Sequence, residues 1–155
     1  MAMTIRSPAF ADGERIPVKY TADGANISPP LRFDGVPEGS AELALVCHDP
    51  DAPGPGGFTH WVAYGMAPGI DGLPEGVPPT ATVDKPSLTQ GRNSAGRVGY
   101  RGPSPPPGRP HRYQFRLYAL ARKLQLDAGA SKEQLEAAMA GAITEQALLT
   151  GMYGR

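Results

Sequence analysis

The chain has three histidines, His48, His60 and His111, and each lies against a proline-rich stretch. In HDPDAPGPGGFTHW, residues 48–61, Asp49 and Asp51 flank Pro50, and His60 stands just before the only tryptophan. In GPSPPPGRPHRY, residues 102–113, five prolines precede or flank the approach to His111, and Tyr113 opens an apolar alternation. One arrangement therefore occurs twice: a proline-stiffened loop with polar groups, then a histidine at the mouth of a strand. Proline fixes φ and removes a donor, so such a loop keeps its shape without a backbone ladder. Groups held in it lose little freedom on binding. Imidazole and phenol donors beside arginines suit an oxyanion, and a carboxylate can set the tautomer or charge of a histidine. Asp49, His60 and His111 also have the composition of a two-histidine, one-carboxylate metal site, or of a general acid–base pair without metal. Plainer roles compete: Asp49 as a loop cap, His60 as a satisfied core histidine, His111 and Tyr113 as ordinary strand residues.

Something must hold these loops, and the composition says what kind of body that is. At 155 residues the chain is read as one domain, 1–155, long enough to bury a real core. Eighteen prolines and twenty glycines are spread between apolar segments, which punctuates short strands and long surface loops as in a β-sandwich. The expected strands are Ile16–Tyr20, Glu42–His48, Thr59–Met66 and Tyr113–Leu120. In the second of these, Leu43, Leu45 and Cys47 share one face and Ala44, Val46 and His48 the other. One helix is expected. Ser131-Lys132-Glu133-Gln134 has capping-box form, and Leu135, Met139, Ala142, Ile143 and Ala147 make one stripe that Gly151 ends.

Fifteen basic and fifteen acidic residues cancel, so nothing in the charge calls for nucleic acid. The distribution is uneven. Between Asp84 and Asp127 lie 42 residues with nine lysines or arginines and no carboxylate, a stretch that either meets anions or pairs with acids from elsewhere. A lone cysteine, Cys47, allows no internal disulfide and fits a reducing compartment. No secretory h-region or membrane-spanning apolar run is present, so a cytoplasmic protein without stable membrane insertion is expected. No glycine-rich phosphate loop or paired Cys/His knuckle occurs, and no cofactor or resident metal is expected.

Two signatures, in order, carry a resemblance. DPDAP (49–53) followed by His60-Trp61 is the first; GRNSAGRVGYRGPSPP (91–106) with His111-Arg112-Tyr113 is the second. Ile27-Ser28-Pro29-Pro30-Leu31 and Gly35-Val36-Pro37 precede them. Through nearly its whole length the chain resembles the phosphatidylethanolamine-binding protein family, which includes Raf kinase inhibitor protein, and it is most similar to the short bacterial branch. The resemblance implies a mainly β fold: a two-sheet antiparallel β-sandwich with a C-terminal helix and few other helical segments. It implies a small-anion pocket for phosphate, acetate-like anions or phosphorylethanolamine, formed by Asp49, His60, Ser104, Pro105, Pro106, His111 and Tyr113. Asp51 would hold the loop together, and Ala52–Pro53 would be cis. Phe33 stands where tryptophan is usual, His48 where an acid is frequent, and Ser104 where bacterial relatives often carry cysteine. The longer segments of the eukaryotic proteins are missing, so kinase regulation is not carried over.

The expected function is binding of a small anionic ligand without turnover, with modulation of an unidentified protein partner as a further role. The alternative is a hydrolase or metal-dependent enzyme built on Asp49, His60 and His111. A homodimer is expected from the resemblance, with Leu148-Leu149 as the apolar candidates. Anion affinity is expected to rise as His60 or His111 takes up a proton.

Overall fold

Over residues 2–155, which the computed structural model describes, the apolar runs form nine strands, one α-helix and one short 3-10 helix. In chain order these are β1 (Thr4–Arg6), the 3-10 turn Val18–Tyr20, β2 (Leu31–Asp34), β3 (Glu42–Asp49), β4 (Phe58–Met66), β5 (Gly72–Leu73), β6 (Thr82–Asp84), β7 (Ser87–Gln90), β8 (His111–Leu120), α1 (Lys132–Met139) and β9 (Ile143–Tyr153). Every pairing between these strands is antiparallel. A three-stranded sheet runs β1-β2-β5, and a six-stranded sheet runs β6-β7-β4-β3-β8-β9. The expected mainly β, two-sheet architecture is what the chain adopts.

Side-chain alternation explains why β3 sits at the centre. Leu43, Leu45 and Cys47 join Trp61, Phe115 and Leu117, and face Ile5, Leu31 and Phe33 of the small sheet. Ala44 and Val46 point the other way, to Val62, Tyr64, Tyr118 and Leu120, and there α1 covers them with Leu135 and Met139. A strand buried on both faces reads as a nearly continuous apolar run, as β3 does. Trp61 is fully buried, and its indole N–H donates to Gln90 Oε1 at 2.7 Å. Gln90 in turn donates to the carbonyls of Pro78 and Thr80, so a buried amide is satisfied.

The capping box forms as expected: the Gln134 amide donates to Ser131 Oγ at 3.1 Å, and Gln134 Oε1 accepts from the Ser131 amide at 2.9 Å. The helix, however, stops at Met139, and residues 143–153 are a strand rather than its continuation. Gly141 at φ 78° turns the chain out of the helix. Beyond it, Ala147, Leu149, Gly151 and Tyr153 recur every second residue toward the core, and β9 pairs with β8 from His111↔Tyr153 to Leu120↔Ile143. The apparent helical stripe through Ile143 and Ala147 was a coincidence of spacing. Leu148 and Leu149 consequently part company: Leu149 is buried, while Leu148 is 42% exposed. Ile16–Tyr20 is no strand either. Pro17 removes a ladder donor, Ile16 is buried, and Val18–Tyr20 close a 3-10 turn.

Candidate functional site

Asp49 is the last residue of β3, where the chain leaves the sheet for residues 50–57 before returning as β4. Its Oδ1 accepts the Asp51 amide at 2.8 Å, a turn closed by an aspartate side chain. The loop then reverses through Gly54, Gly56 and Gly57, at φ 99°, 79° and 74°. The reversal thus uses left-handed glycines and not a cis proline. Among the described residues the cis peptide bond is Lys85–Pro86, so Ala52–Pro53 is trans, contrary to expectation. Asp51 holds the loop down: Arg112 donates to it from Nε at 3.0 Å, from Nη2 at 2.9 Å and from its backbone amide at 2.9 Å. That fork lowers the Asp51 pKa to about 2.

His48 faces away from this loop's interior. It points to the α1 side of the sheet, near Lys132 and Glu136. Its Nε2 donates to the Gly56 carbonyl at 2.7 Å, and its Nδ1 accepts from the Thr59 hydroxyl at 3.0 Å. Burial, followed by the Lys132 charge, lowers its pKa. Its place is a strut for the loop.

Inside, Asp49 Oδ2 accepts from His111 Nδ1 at 2.7 Å, with both residues more than nine-tenths buried. His60, on β4, is 4% exposed, and its Nδ1 donates to the Arg101 carbonyl at 2.6 Å. Burial holds the His60 pKa down at about 4. Protonation of His60 is therefore not available as a source of anion affinity near neutral pH, and that part of the expectation is withdrawn. Tyr113, on β8, lies between the two histidines: its ring meets His60 edge-on at 5.1 Å and stacks on His111 at 6.5 Å. Its hydroxyl is buried, lies on the side of the Asp49 carboxylate, and has no protein partner at good hydrogen-bond geometry. Burial and the nearby Asp49 charge push its pKa far above the usual phenol value, so it remains a donor.

The second loop is fastened by residues far away in sequence. Arg155 grips Asp23 through Nε at 3.1 Å and Nη2 at 2.7 Å, and donates from Nη1 to the Pro105 carbonyl at 3.0 Å. Its Nη2 also lies 3.4 Å from Ser104 Oγ. Asn26, itself at φ 59°, accepts the Gly102 amide at 2.7 Å. A Cβ on Gly102 would sit 2.6 Å from Asn26 Oδ1, which is why the position needs glycine.

The two loops meet. Asp49, His60, Ser104, Pro105, Pro106, His111 and Tyr113 all line one cavity of about 160 Å³. Ala52, Pro53, Phe58 and Arg101 complete the lining and were not named as site residues from the sequence, although Ala52, Pro53 and Arg101 lie inside the two signatures. Phe58 offered a signal as the aromatic two residues before His60; it packs on that ring at 4.7 Å. A wider cleft of about 640 Å³ shares Pro106 and His111 with the cavity and carries Arg109. Of the nine cations between residues 85 and 126, Arg112 alone is ion-paired among the described residues. Among these residues no three of His, Cys, Asp and Glu converge as a metal site.

Comparison with known proteins agrees with this fold. The family model described as phosphatidylethanolamine-binding protein matches residues 6–154. The UPF0098 protein of Methanothermobacter thermautotrophicus is 50% identical over 153 residues, covering 99% of each chain. A Mycobacterium tuberculosis relative named as a lipoprotein, LppC, is 46% identical over 97% of this chain and 72% of its own. Among solved structures, a phosphatidylethanolamine-binding protein homolog from Chlamydia trachomatis superposes with a TM-score of 0.90 at 40% identity, covering 99% of this chain and 98% of that one.

Proposed function

This chain belongs to the phosphatidylethanolamine-binding protein family, and from that premise we propose that its cavity binds a small oxyanion, phosphate or a phosphorylated head group such as phosphorylethanolamine, without turning it over. The observation that supports this reading is the buried Tyr113 hydroxyl, a donor with no protein partner in a cavity it shares with two histidines. Buried polar groups are nearly always bonded, so a donor left free inside a binding-sized hollow points to a ligand oxygen. Arg101, exposed at the rim and without a carboxylate partner among the described residues, adds positive potential at the entrance. The Asp49–His111 pair resembles a general-base dyad, which is what the hydrolytic alternative would use, but the serine of the cavity lining, Ser104, is exposed and lies against Arg155 rather than bonding that pair.

The test is calorimetric titration with inorganic phosphate. Wild type should bind, and His111→Ala and Tyr113→Phe should each weaken binding, by about 1 kcal/mol for the neutral hydroxyl bond and about 1.5–3 kcal/mol if the imidazole bond is charge-assisted. Equal affinity in all three proteins would remove this cavity as the site. No helix among the described residues is long and apolar enough to cross a membrane. A cytoplasmic location remains part of the proposal, set beside a relative that is named as a lipoprotein.

A further inference from the structure

The cavity presents an odd partner for an anion, because one of its buried ring nitrogens can only accept. The Arg101 carbonyl can only accept, so the His60 Nδ1 that lies 2.6 Å from it carries the ring's proton. His60 Nε2 is then a lone pair. No protein group bonds that atom among the described residues, and the ring lines the cavity. The walls add little to offset it. Pro53, Pro105 and Pro106 have no backbone N–H to give. Ser104 is exposed and its oxygen accepts from Arg155, so its own O–H stays at the rim, as does the Arg101 side chain. The full charge buried beside the cavity is negative, that of Asp49, which is 2% exposed. Its partner His111 offers an Nε2 that donates or accepts according to its protonation. The one interior group that can only usefully donate is the Tyr113 hydroxyl.

An oxyanion with no proton of its own would press one oxygen against the His60 lone pair. From this inventory we infer that the cavity selects oxyanions that still carry an acidic proton, donating that O–H to His60 Nε2 while an unprotonated oxygen accepts from Tyr113. The inference rests on the oxyanion reading and narrows it. The ligand class becomes the singly protonated phosphate, phosphonate or monoester, and a fully esterified phosphodiester, as in an intact lipid head group, is rejected. The depressed His60 pKa agrees, since it keeps the lone pair free over the pH range where such monoanions exist. A site built around a hydrogen bond rejects an analogue that lacks the matching group, because its own polar atom is left unpaired.

Methylphosphonate and dimethylphosphinate decide the matter. As monoanions they differ by one hydroxyl exchanged for a methyl of nearly the same size. Both would be titrated into wild-type protein by calorimetry, above the His60 pKa of about 4 and below the second ionisation of the phosphonate. Methylphosphonate should bind at least tenfold tighter. Phosphorylethanolamine and its glycerol diester, compared under the same conditions, should differ in the same sense and tell a free head group from a lipid-like one. Dimethylphosphinate binding equally or more tightly would overturn the proton requirement, and the apolar Phe58 and proline walls favour that outcome if the lone pair is irrelevant. Inorganic phosphate in the same buffer separates the two readings. If phosphate binds and the isosteric pair does not differ, only this inference fails; if none of the anions binds, the oxyanion reading fails with it.

Discussion

His60 shows how much of a residue's chemistry is set by a contact that its neighbours in sequence do not announce. Its position before Trp61 marks it as a site residue, as do the prolines and aspartate around it. Its charge state follows from burial and its tautomer from a carbonyl 41 residues along the chain, neither of which is written locally. For Asp49 a hydrogen bond to one of the two histidine rings was legible, and the fold decides that the ring is that of His111. A stability consequence follows for His60. Its folded pKa of about 4 lies below the unfolded value of about 6.5. Between those values the unfolded chain binds more protons, so stability is full above about pH 6.5 and falls as pH drops toward 4. The slope is at most about 1.4 kcal/mol per pH unit from this one group. Urea midpoints measured at pH 7 and pH 5 should fall accordingly, and His60→Gln should flatten the difference. An undiminished slope in that variant would assign it to other groups.

At the scale of elements, turn chemistry and capping were readable and the last strand was not. The capping box at Ser131 formed as written, because its two hydrogen bonds are local. β9 is decided instead by the unpaired edge of β8, ten residues long, and the alternation from Ala147 to Tyr153 competes with the helical spacing through Ile143 and Ala147. The DPDAP loop gives a comparable lesson. Its prolines drew attention, yet the reversal depends on glycines and on the Asp49 side chain. Gly57 is the tightest of them. Its φ is 74°, and a Cβ there would lie 2.2 Å from the Asp49 carbonyl oxygen. Gly57→Ala should therefore cost more than the roughly 1–2 kcal/mol of the left-handed conformation alone, and should weaken phosphate binding together with stability. Gly54→Ala, where a Cβ meets nothing within 4 Å, is the matched control and should affect stability less. Thermal melts with and without phosphate would rank the two; the reverse order would show that Gly57 does not set the loop.

For the whole molecule, the two-sheet body was legible because both its core faces are written as alternation in β3 and β8. The acid-free stretch was legible as a charge anomaly, and its resolution needed the fold: Arg112 alone meets an acid among the described residues, while Arg92, Arg97, Arg101 and Arg109 stand exposed. What fastens the second loop could not be read at all. Asp23 and Arg155 are 132 residues apart, and nothing in either segment names the other.

That clamp also orders events in time. Asp23 is bonded by Tyr153 and Arg155, so the Ser104–Pro105 wall is fastened only once β9 has docked beside β8. Contacts closing such long loops are entropically expensive and tend to form late. In a refolding experiment, recovery of far-ultraviolet ellipticity should run ahead of recovery of phosphate binding, and Arg155→Ala should lengthen that interval or leave binding incomplete. If both signals return together, the cavity is assembled with the sheet and the clamp merely decorates it. If they separate, the newly made protein passes through a period in which it is folded and still blind to its ligand.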